Sequence, residues 1–251
     1  MRSAKTETSQ VVLLRVGVDS GEGGIQGPLF DKGGFDYIPI PDGWSRQSDV
    51  LYGNTLGRHG RLLCEYWPGK RKEFYRTHPI HFDPEFKTFT YGDPTRPKQS
   101  LRFLQKGDLL VFYAGLQPWS PELGFHGDPH LYIIGYFIVS YAGRVGDLFD
   151  IHTRKTVEGD FANCHHVGRG YTYPEKLVLV KGTRESRILN RATLVSEYGK
   201  DRNGVRIKVL RSELQDRFGQ LSTRNYLQRS PPRWVPADFC RKAYAYVTSL
   251  K

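Results

Sequence analysis

The sequence predicts an α+β protein, because strand-like runs fill most of the first 180 residues and helical periodicity is confined to the rest. The most apolar and aromatic runs are residues 108–114 (DLLVFYA) and 131–139 (LYIIGYFIV). Both are rich in the β-branched and ring side chains that fit a buried pleated surface. We expect them to be the two central strands of a mixed or antiparallel sheet.

Charge divides the chain into unequal parts. The net charge is +11, and residues 181–251 hold 16 basic and 6 acidic side chains, against 21 and 20 in residues 1–180. Length alone does not choose between one large domain and two small ones. We expect a flexible N-terminus over residues 1–10, a β-rich core domain over 11–180, and a basic, mainly helical part over 181–251 packed on the same domain.

Composition also bears on cellular location. No apolar run approaches the roughly 20 residues that a membrane span needs. The first ten residues lack the apolar core of a signal peptide, so we expect a cytoplasmic protein without a membrane partner. The cysteines at 64, 164 and 240 are far apart and form no CxxC pair. The sequence therefore encodes neither a disulfide framework nor a zinc ribbon.

The first apolar run, residues 11–18, is of strand length and ends in a glycine-rich loop, DSGEGGIQGP. Backbone N–H groups at Gly23 and Gly24 could converge on a phosphate. The loop is neither a Walker loop nor a dinucleotide fingerprint, because no Gly-Lys-Ser/Thr follows and prolines interrupt the next segment. The alternative is a turn that only crosses the sheet. Asp19, at the carboxyl end of the strand, is a candidate general base.

The densest set of titratable side chains is in HPIHFDPEF, residues 78–86. Two prolines exclude a regular helix and with it a helical pair of histidine metal ligands. In an extended chain His81, Asp83 and Glu85 project to one face, and a carboxylate beside an imidazole can serve as a general base. The alternative is a loop that these side chains fix through hydrogen bonds.

Between the two central strands lies a sixteen-residue connection, residues 115–130. It is too long for a tight hairpin, and long loops between core strands are often functional. We expect a ligand site at its mouth, where aromatic rings would hold a base. The predicted rings are Tyr91, Phe112, Tyr113 and Trp119.

Residues 160–169 (DFANCHHVGR) bring Cys164, His165 and His166 together in the sequence. Adjacent side chains point apart in an extended chain, so this segment alone does not complete a metal site. The sequence thus assigns no metal ligands and leaves the cofactor unknown.

The basic C-terminal part is rich in arginine, whose planar guanidinium suits bidentate phosphate contacts. Residues 183–192 (TRESRILNRA) predict a short helix with Arg184, Arg187 and Arg191 along one face. Further helices are predicted after the capping-box pattern at Ser212 and after Pro236. The alternative is a solvated basic face with no polymer partner.

Two resemblances add to this reading. Residues 101–113 and 133–139, with a KGD turn leading into one strand and IIGYFIV beside it, resemble the core of PUA-like domains, including the EVE and YTH branches. That resemblance implies a barrel-like core with a pocket that reads a modified or flipped base.

A longer part of the chain is similar to the third of the nucleotide-modification-associated domain families, which are encoded near base-modification genes in phages and bacteria. The resemblance implies a context of nucleic-acid base modification. With the basic C-terminal part, we expect nucleic acid as the partner, DNA more than RNA. The matching stretches are residues 15–21, 27–30, 35–41, 83–86, 89–93 and 107–113.

Three hypotheses follow, in this order. The first is a binding module that holds a modified base in the aromatic pocket while arginines bind phosphates. The second is an enzyme acting on a nucleotide or base, with Asp19 or His81 as the base and Asp83 and Glu85 orienting it or binding a metal. The third is an interaction protein whose basic face meets an acidic partner.

Overall fold

The computed structural model describes residues 9–43, 49–167, 173–222, 225–227 and 231–251. The fold is α+β, as predicted, and is built on one large mixed sheet with helices packed against it. Of the predicted flexible N-terminus, residues 1–8 lie outside the described residues. No helix in the described part of the chain has the length and apolar character that a membrane crossing requires.

The strands and helices are numbered in chain order, and four short 3-10 segments lie between them. The 3-10 segments are Asp31–Gly33, Leu63–Tyr66, Arg96–Phe103 and Ser212–Leu214. The strands are β1 (Val11–Val16), β2 (Gly27–Leu29), β3 (Ile40–Pro41), β4 (Ile80–His81), β5 (Thr90–Asp93), β6 (Leu109–Ser120), β7 (Gly124–Phe125), β8 (His130–Arg144), β9 (Val178–Gly182), β10 (Arg187–Leu194), β11 (Ser196–Lys200), β12 (Arg206–Leu210) and β13 (Arg233–Trp234). The helices are α1 (Lys70–Arg76), α2 (Val145–Ile151), α3 (Arg154–Asp160), α4 (Gln215–Phe218) and α5 (Ala237–Ser249).

The two predicted central strands are confirmed as β6 and β8, the longest strands described and antiparallel neighbours. The sheet runs in the order β13-β1-β6-β8-β9-β5, with β10 added to β8 and both β2 and β7 added to β6. Strands β1 and β2 run parallel to β6, and the other pairs are antiparallel. Among the described strands β13 and β5 do not pair, so no closed barrel forms, and the barrel implied by the PUA-like resemblance is not confirmed.

A core lies on each face of the sheet, and each central strand contributes to both cores because successive residues of a strand point to opposite sides. Val111 and Tyr113 of β6 lie in a first core, which α4 and α5 cover. Leu110 and Phe112 lie in a second core on the other face, with Leu101 of a 3-10 segment. Two smaller cores flank these. The third core includes Ile38, Tyr66, Trp67 and Ile80, and the fourth includes Val157, Phe161, Cys164 and Leu177.

The predicted long loop over residues 115–130 is wrong for most of its length. Strand β6 continues to Ser120 and turns into a hairpin with β7, where Trp119 pairs with Phe125. Strand β2 lies alongside and pairs with residues 116–118. The backbone groups of residues 116–118 find hydrogen-bond partners in β2, which the local sequence pattern does not predict.

The predicted helix over residues 183–192 is also wrong, because residues 187–194 form strand β10 against β8. Ile188 packs against the second core and Leu189 lies in the first. A strand that is buried on both faces carries consecutive apolar residues. Over a segment of only ten residues, such a pattern cannot be told from that of a buried helix. The described part of residues 181–251 therefore holds the four strands β10 to β13 besides α4 and α5, and it is not mainly helical. The final helix begins after Pro236, as predicted.

Candidate functional site

Five side chains from three separated segments meet where the second, third and fourth cores adjoin. They are Asp42, His81, Asp83, His165 and His166, called here the histidine cluster. Two overlapping sets within it could each hold a metal ion, Asp42 with His81 and His165, and His81 with Asp83 and His166. In each set the possible ligand atoms lie within 4.8 Å of one another.

A short two-stranded antiparallel sheet positions the first part of the cluster. Strands β3 and β4 pair antiparallel, with Ile40 opposite His81. The backbone N–H of Asp42 donates to the carbonyl of Pro79 at 3.0 Å, which fixes Asp42 beside β4. After β4 the chain turns tightly, since the N–H of Asp83 donates to the carbonyl of His81 at 3.1 Å. Asp42, His81 and Asp83 are therefore set by local backbone geometry.

A helical turn that follows α3 positions the second part. The N–H of Cys164 donates to the carbonyl of Phe161 at 2.8 Å, and the N–H of Val167 to the carbonyl of Cys164 at 3.0 Å. The backbone is thus turned and not extended at His165 and His166. Both imidazoles reach the same group, which corrects the expectation that adjacent side chains point apart here.

The distances within the cluster are those of a compact polar site. His81 Nε2 lies 2.8 Å from Asp83 Oδ2, and His166 Nε2 lies 3.4 Å from the same oxygen. His165 Nε2 lies 3.5 Å from Asp42 Oδ1. The rings of His81 and His165 are stacked, with centroids 3.8 Å apart, and that of His166 stands nearly perpendicular to His81 at 4.8 Å.

The surrounding chain fixes the orientation of the Asp83 carboxylate. Its Oδ1 accepts the backbone N–H of Gly92 at 3.1 Å and a weak S–H contact from Cys164 at 3.8 Å. Its Oδ2 is therefore left to face the imidazoles. Burial raises the pKa of the Cys164 thiol well above its usual value, with a contribution from the charge of Asp83. Cys164 is thus a neutral donor to the carboxylate.

Burial and charge both favour a cation in this cluster. Asp42 and Asp83 are 0% and 6% exposed at their side chains, and the three imidazoles are between 9% and 18% exposed. Buried carboxylates are paired or bind metals, because an isolated buried charge is costly. Metal-ligand bonds of roughly 2.0–2.2 Å place neighbouring ligands about 3 Å and opposite ligands about 4 Å apart. The three carboxylate–imidazole distances, 2.8, 3.4 and 3.5 Å, are close to the separation of neighbouring ligands.

The other predicted catalytic carboxylates lie elsewhere in hydrogen-bonded turns. Asp19 Oδ1 accepts the N–H groups of Gly21 and Glu22 at 2.8 and 2.9 Å, and Asp19 Oδ2 lies 3.3 Å from Arg15. Glu85 accepts the N–H of Lys87 and, at 2.9 Å, that of Thr88. Of the four predicted catalytic residues, the structure brings together His81 and Asp83.

Hydrogen bonds within the predicted phosphate loop and to two aromatic side chains fix its backbone. The N–H of Gly24 donates to the carbonyl of Asp19 at 2.9 Å. The carbonyl of Gly23 accepts the indole of Trp67 at 2.7 Å and the hydroxyl of Tyr75 at 3.2 Å. Both glycines have positive φ, of 91° and 75°, a backbone conformation that residues with a side chain rarely adopt. The loop is therefore a tight turn that packs on the third core and requires glycine at both positions.

The four predicted base-binding rings do not share one pocket. Phe112 and Tyr113 are 0% and 1% exposed and lie in the second and first cores, on opposite faces of β6. Tyr91 is 4% exposed, and its hydroxyl donates to Asp93 Oδ2 at 2.9 Å. Trp119 lies half-buried against the third core, with the guanidinium of Arg61 4.8 Å from its ring centroid. The alternation of side chains along a strand separates residues that are adjacent in sequence.

The three predicted phosphate-binding arginines are exposed. Arg184 lies in the turn before β10 and Arg187 at its start, where its guanidinium lies 5.8 Å from the ring centroid of Tyr136. Arg191 donates to the carbonyl of Lys32. They line one edge strand and its preceding turn, not a helix face.

Sequence reasoning missed the meeting of the two halves of the histidine cluster. His81, Asp83, His165 and His166 were each recognisable, as an H-x-D triplet and an adjacent histidine pair, but 81 residues separate Cys164 from Asp83. Asp42 gave no signal in the sequence, because it is a single carboxylate that follows the proline-interrupted run IPIP, residues 38–41.

Comparison with known proteins places the chain in a family. The model for nucleotide modification associated domain 3 matches residues 10–246, which is nearly the whole chain. No curated protein and no solved structure matches significantly. The match includes all five residues of the histidine cluster. The chain belongs to the nucleotide modification associated domain 3 family.

Proposed function

We propose that this protein is a metal-dependent enzyme that acts on a base or nucleotide within a nucleotide-modification system. The single observation that carries the proposal is the histidine cluster, in which three imidazoles and two carboxylates converge in a partly buried position. The family description supports the nucleotide context.

The donor set defines the metal class. Imidazole nitrogen with carboxylate oxygen suits first-row divalent ions such as Fe²⁺, Mn²⁺ and Zn²⁺. His81, Asp83 and His166 form a two-histidine, one-carboxylate set, which leaves positions for water or substrate. A bound ion there would activate a water molecule or polarise a substrate oxygen. Asp42 and His165 adjoin this set and can complete the coordination or exchange a proton with the reacting group.

The histidine cluster and the separation of the four rings favour an enzyme over a binding module. A base reader needs several rings around one cavity, whereas Phe112 and Tyr113 belong to different cores. Recognition of the base would therefore come from groups around the histidine cluster. We propose nucleic acid, DNA rather than RNA, as the source of the substrate, with the exposed Arg184, Arg187 and Arg191 binding its phosphates.

Product analysis tests the proposed reaction. Protein loaded separately with Fe²⁺, Mn²⁺ or Zn²⁺ is incubated with nucleoside monophosphates and with single- and double-stranded DNA, which is then digested to nucleosides for mass spectrometry. We expect a metal-dependent product that His166→Gln abolishes and that His126→Ala, at an exposed histidine outside the cluster, retains. Equal product from the metal-free protein or from His166→Gln would contradict the proposal.

Replacing Arg184, Arg187 and Arg191 together with alanine tests the proposed nucleic-acid contact. Three lost phosphate contacts should reduce the slope of log affinity against log salt by about 2 to 3 for DNA. The measurement is fluorescence anisotropy of a labelled oligonucleotide between low and moderate salt. The control replaces the exposed Lys106, Lys155 and Lys176, which lie outside the basic C-terminal part. An equal change in both triple variants would mean that the arginines contribute only net charge.

A further inference from the structure

A cavity of about 430 Å³ opens at the carboxyl end of β1, away from the histidine cluster. Its walls come from the end of β1, the glycine-rich loop and the hairpin of β11 and β12. Arg15 follows Val11 and Leu13 on the face of β1 that contributes to the first core. The histidine cluster adjoins Tyr37 and Tyr91, which pack with the second core on the opposite face. The volume is in the range of small-ligand pockets, about 300–1,000 Å³.

Three cationic side chains line this cavity, and two of them have carboxylate partners. Arg15 lies 3.3 Å from Asp19, and Arg206 lies 2.6 Å from Asp128 at the exposed rim. Lys208 is half-buried, and no hydrogen bond or ion pair of its ammonium is found within the described part of the chain. The cavity therefore carries an excess positive charge at Lys208.

The electrostatics of Lys208 support an anionic ligand. Burial lowers the pKa of Lys208 to about 8, and the positive charges of Arg15 and Arg206 lower it further against the opposing effects of Asp19 and Asp128. The ammonium is thus poorly stabilised when the cavity holds no anion. A phosphate would supply the missing counter-charge.

A second polar group lies on the same wall. Gln26 is 7% exposed and lines the cavity. Its Oε1 is buried and packs against Gly115, so the part of the amide that a ligand can reach is its NH2 group, which can donate to a ligand oxygen. The ring of Tyr198 is not available for stacking, because the guanidinium of Arg206 lies 3.4 Å from its centroid and its other contacts include His130.

We propose that this cavity binds a nucleotide, with Arg15 and Lys208 contacting its phosphate and the Gln26 amide donating a hydrogen bond to a sugar oxygen. This inference does not rest on the metal-dependent reaction, since the cavity and the histidine cluster lie on opposite faces of the sheet. The nucleotide can be free or part of a strand, and the experiment separates the two.

Calorimetric titration tests the proposal on the whole chain with a chelator present, so that metal-bound phosphate does not contribute. The probes are the four 5′-deoxynucleoside monophosphates, inorganic phosphate and a single-stranded five-nucleotide DNA. We expect a nucleotide to bind more tightly than inorganic phosphate, and Lys208→Met to weaken it roughly 10- to 100-fold through loss of a charge-assisted hydrogen bond. Lys200→Met, at an exposed lysine of the same hairpin, should bind as the unmodified protein does.

Three further comparisons sharpen the result. Gln26→Leu should weaken nucleotide binding and leave inorganic phosphate unaffected. Affinity should fall as the pH rises from 7 to 9.5, because Lys208 loses its proton there while the phosphate stays ionised, and Lys208→Met should abolish this pH dependence. Binding of the oligonucleotide alone, with the same loss in Lys208→Met, would assign the nucleotide to a strand.

Equal binding by Lys208→Met and Lys200→Met would overturn the proposal. Equal affinity for inorganic phosphate and every nucleotide, unchanged by Gln26→Leu, would reject the nucleotide assignment. Either result leaves the metal-dependent reaction untouched, and loss of that reaction in His166→Gln with nucleotide binding retained would show the two sites to be separate.

Discussion

His81→Ala is expected to weaken divalent-metal binding by about 100-fold or more and to remove any metal-dependent activity. His81 belongs to both potential ligand sets, so its loss takes one ligand from each. Even groups that only orient a ligand typically change metal affinity about 10- to 100-fold, and a ligand itself should count for more. The measurement is competition against a chelating indicator with Zn²⁺ and Mn²⁺, together with metal analysis of the purified protein.

The matched control for this experiment is His126→Ala. His126 is exposed, and its Nδ1 contacts the carbonyl of Gly124 within the turn that follows β7. Circular dichroism and the urea midpoint establish that both variants remain folded. Metal affinity that is the same in the two variants would exclude His81 as a ligand.

Asp36→Ala is expected to lower the free energy of unfolding by about 2–4 kcal/mol, because removing Asp36 from its buried hydrogen-bond network leaves the hydroxyl of Tyr66 and the backbone N–H of His59 without an acceptor. Asp36 is 0% exposed. It accepts the hydroxyl of Tyr66 at 2.6 Å and the backbone N–H of His59 at 3.1 Å, and the His59 Nδ1 lies 2.9 Å away. Burial and the bond to Asp36 raise the pKa of Tyr66, which therefore remains a donor.

This network matters to the site because Tyr66 lies in the third core together with Ile80, the residue before His81. Urea denaturation followed by tryptophan fluorescence measures the change. Asp31→Ala, at an exposed carboxylate nearby in sequence, should stay within about 0.5 kcal/mol of the unmodified protein. A loss below about 1 kcal/mol for Asp36→Ala would show that the buried carboxylate is dispensable.

The parts of the fold that could be predicted are those with a strong local pattern. Residues 108–114 and 131–139 combine β-branched and aromatic side chains over strand length, and both are central strands. The helix after Pro236 has an apolar stripe and a compatible first turn, and it forms α5. The α+β class follows from these elements.

The errors came where neighbouring strands, not local sequence, decide the structure. Residues 187–194 form a strand because β8 offers a free edge and two cores accept Ile188 and Leu189. Residues 116–120 continue β6 because β2 and β7 pair with them. Neither set of partners is visible from the periodicity of the segment itself.

Only the local part of the candidate site could be predicted from the sequence. The pairing of His81 with Asp83 is local, and its distance of 2.8 Å agrees with the expectation of a carboxylate beside an imidazole. The position of His165 and His166 beside this pair depends on the helical turn after α3 and on the packing of Cys164 near Gly92 and Asp83. Long-range packing of this kind leaves no spacing pattern in the sequence.

X-ray absorption spectroscopy at the zinc edge, on protein loaded with one equivalent of Zn²⁺, tests the central claim most directly. The ion should show nitrogen and oxygen neighbours at roughly 2.0–2.2 Å, with the multiple scattering of at least two imidazoles. That imidazole signal should diminish in His81→Ala and persist in His126→Ala. A spectrum with oxygen neighbours only, or stoichiometric imidazole binding that is unchanged in His81→Ala, would contradict the assignment of the histidine cluster as a metal centre.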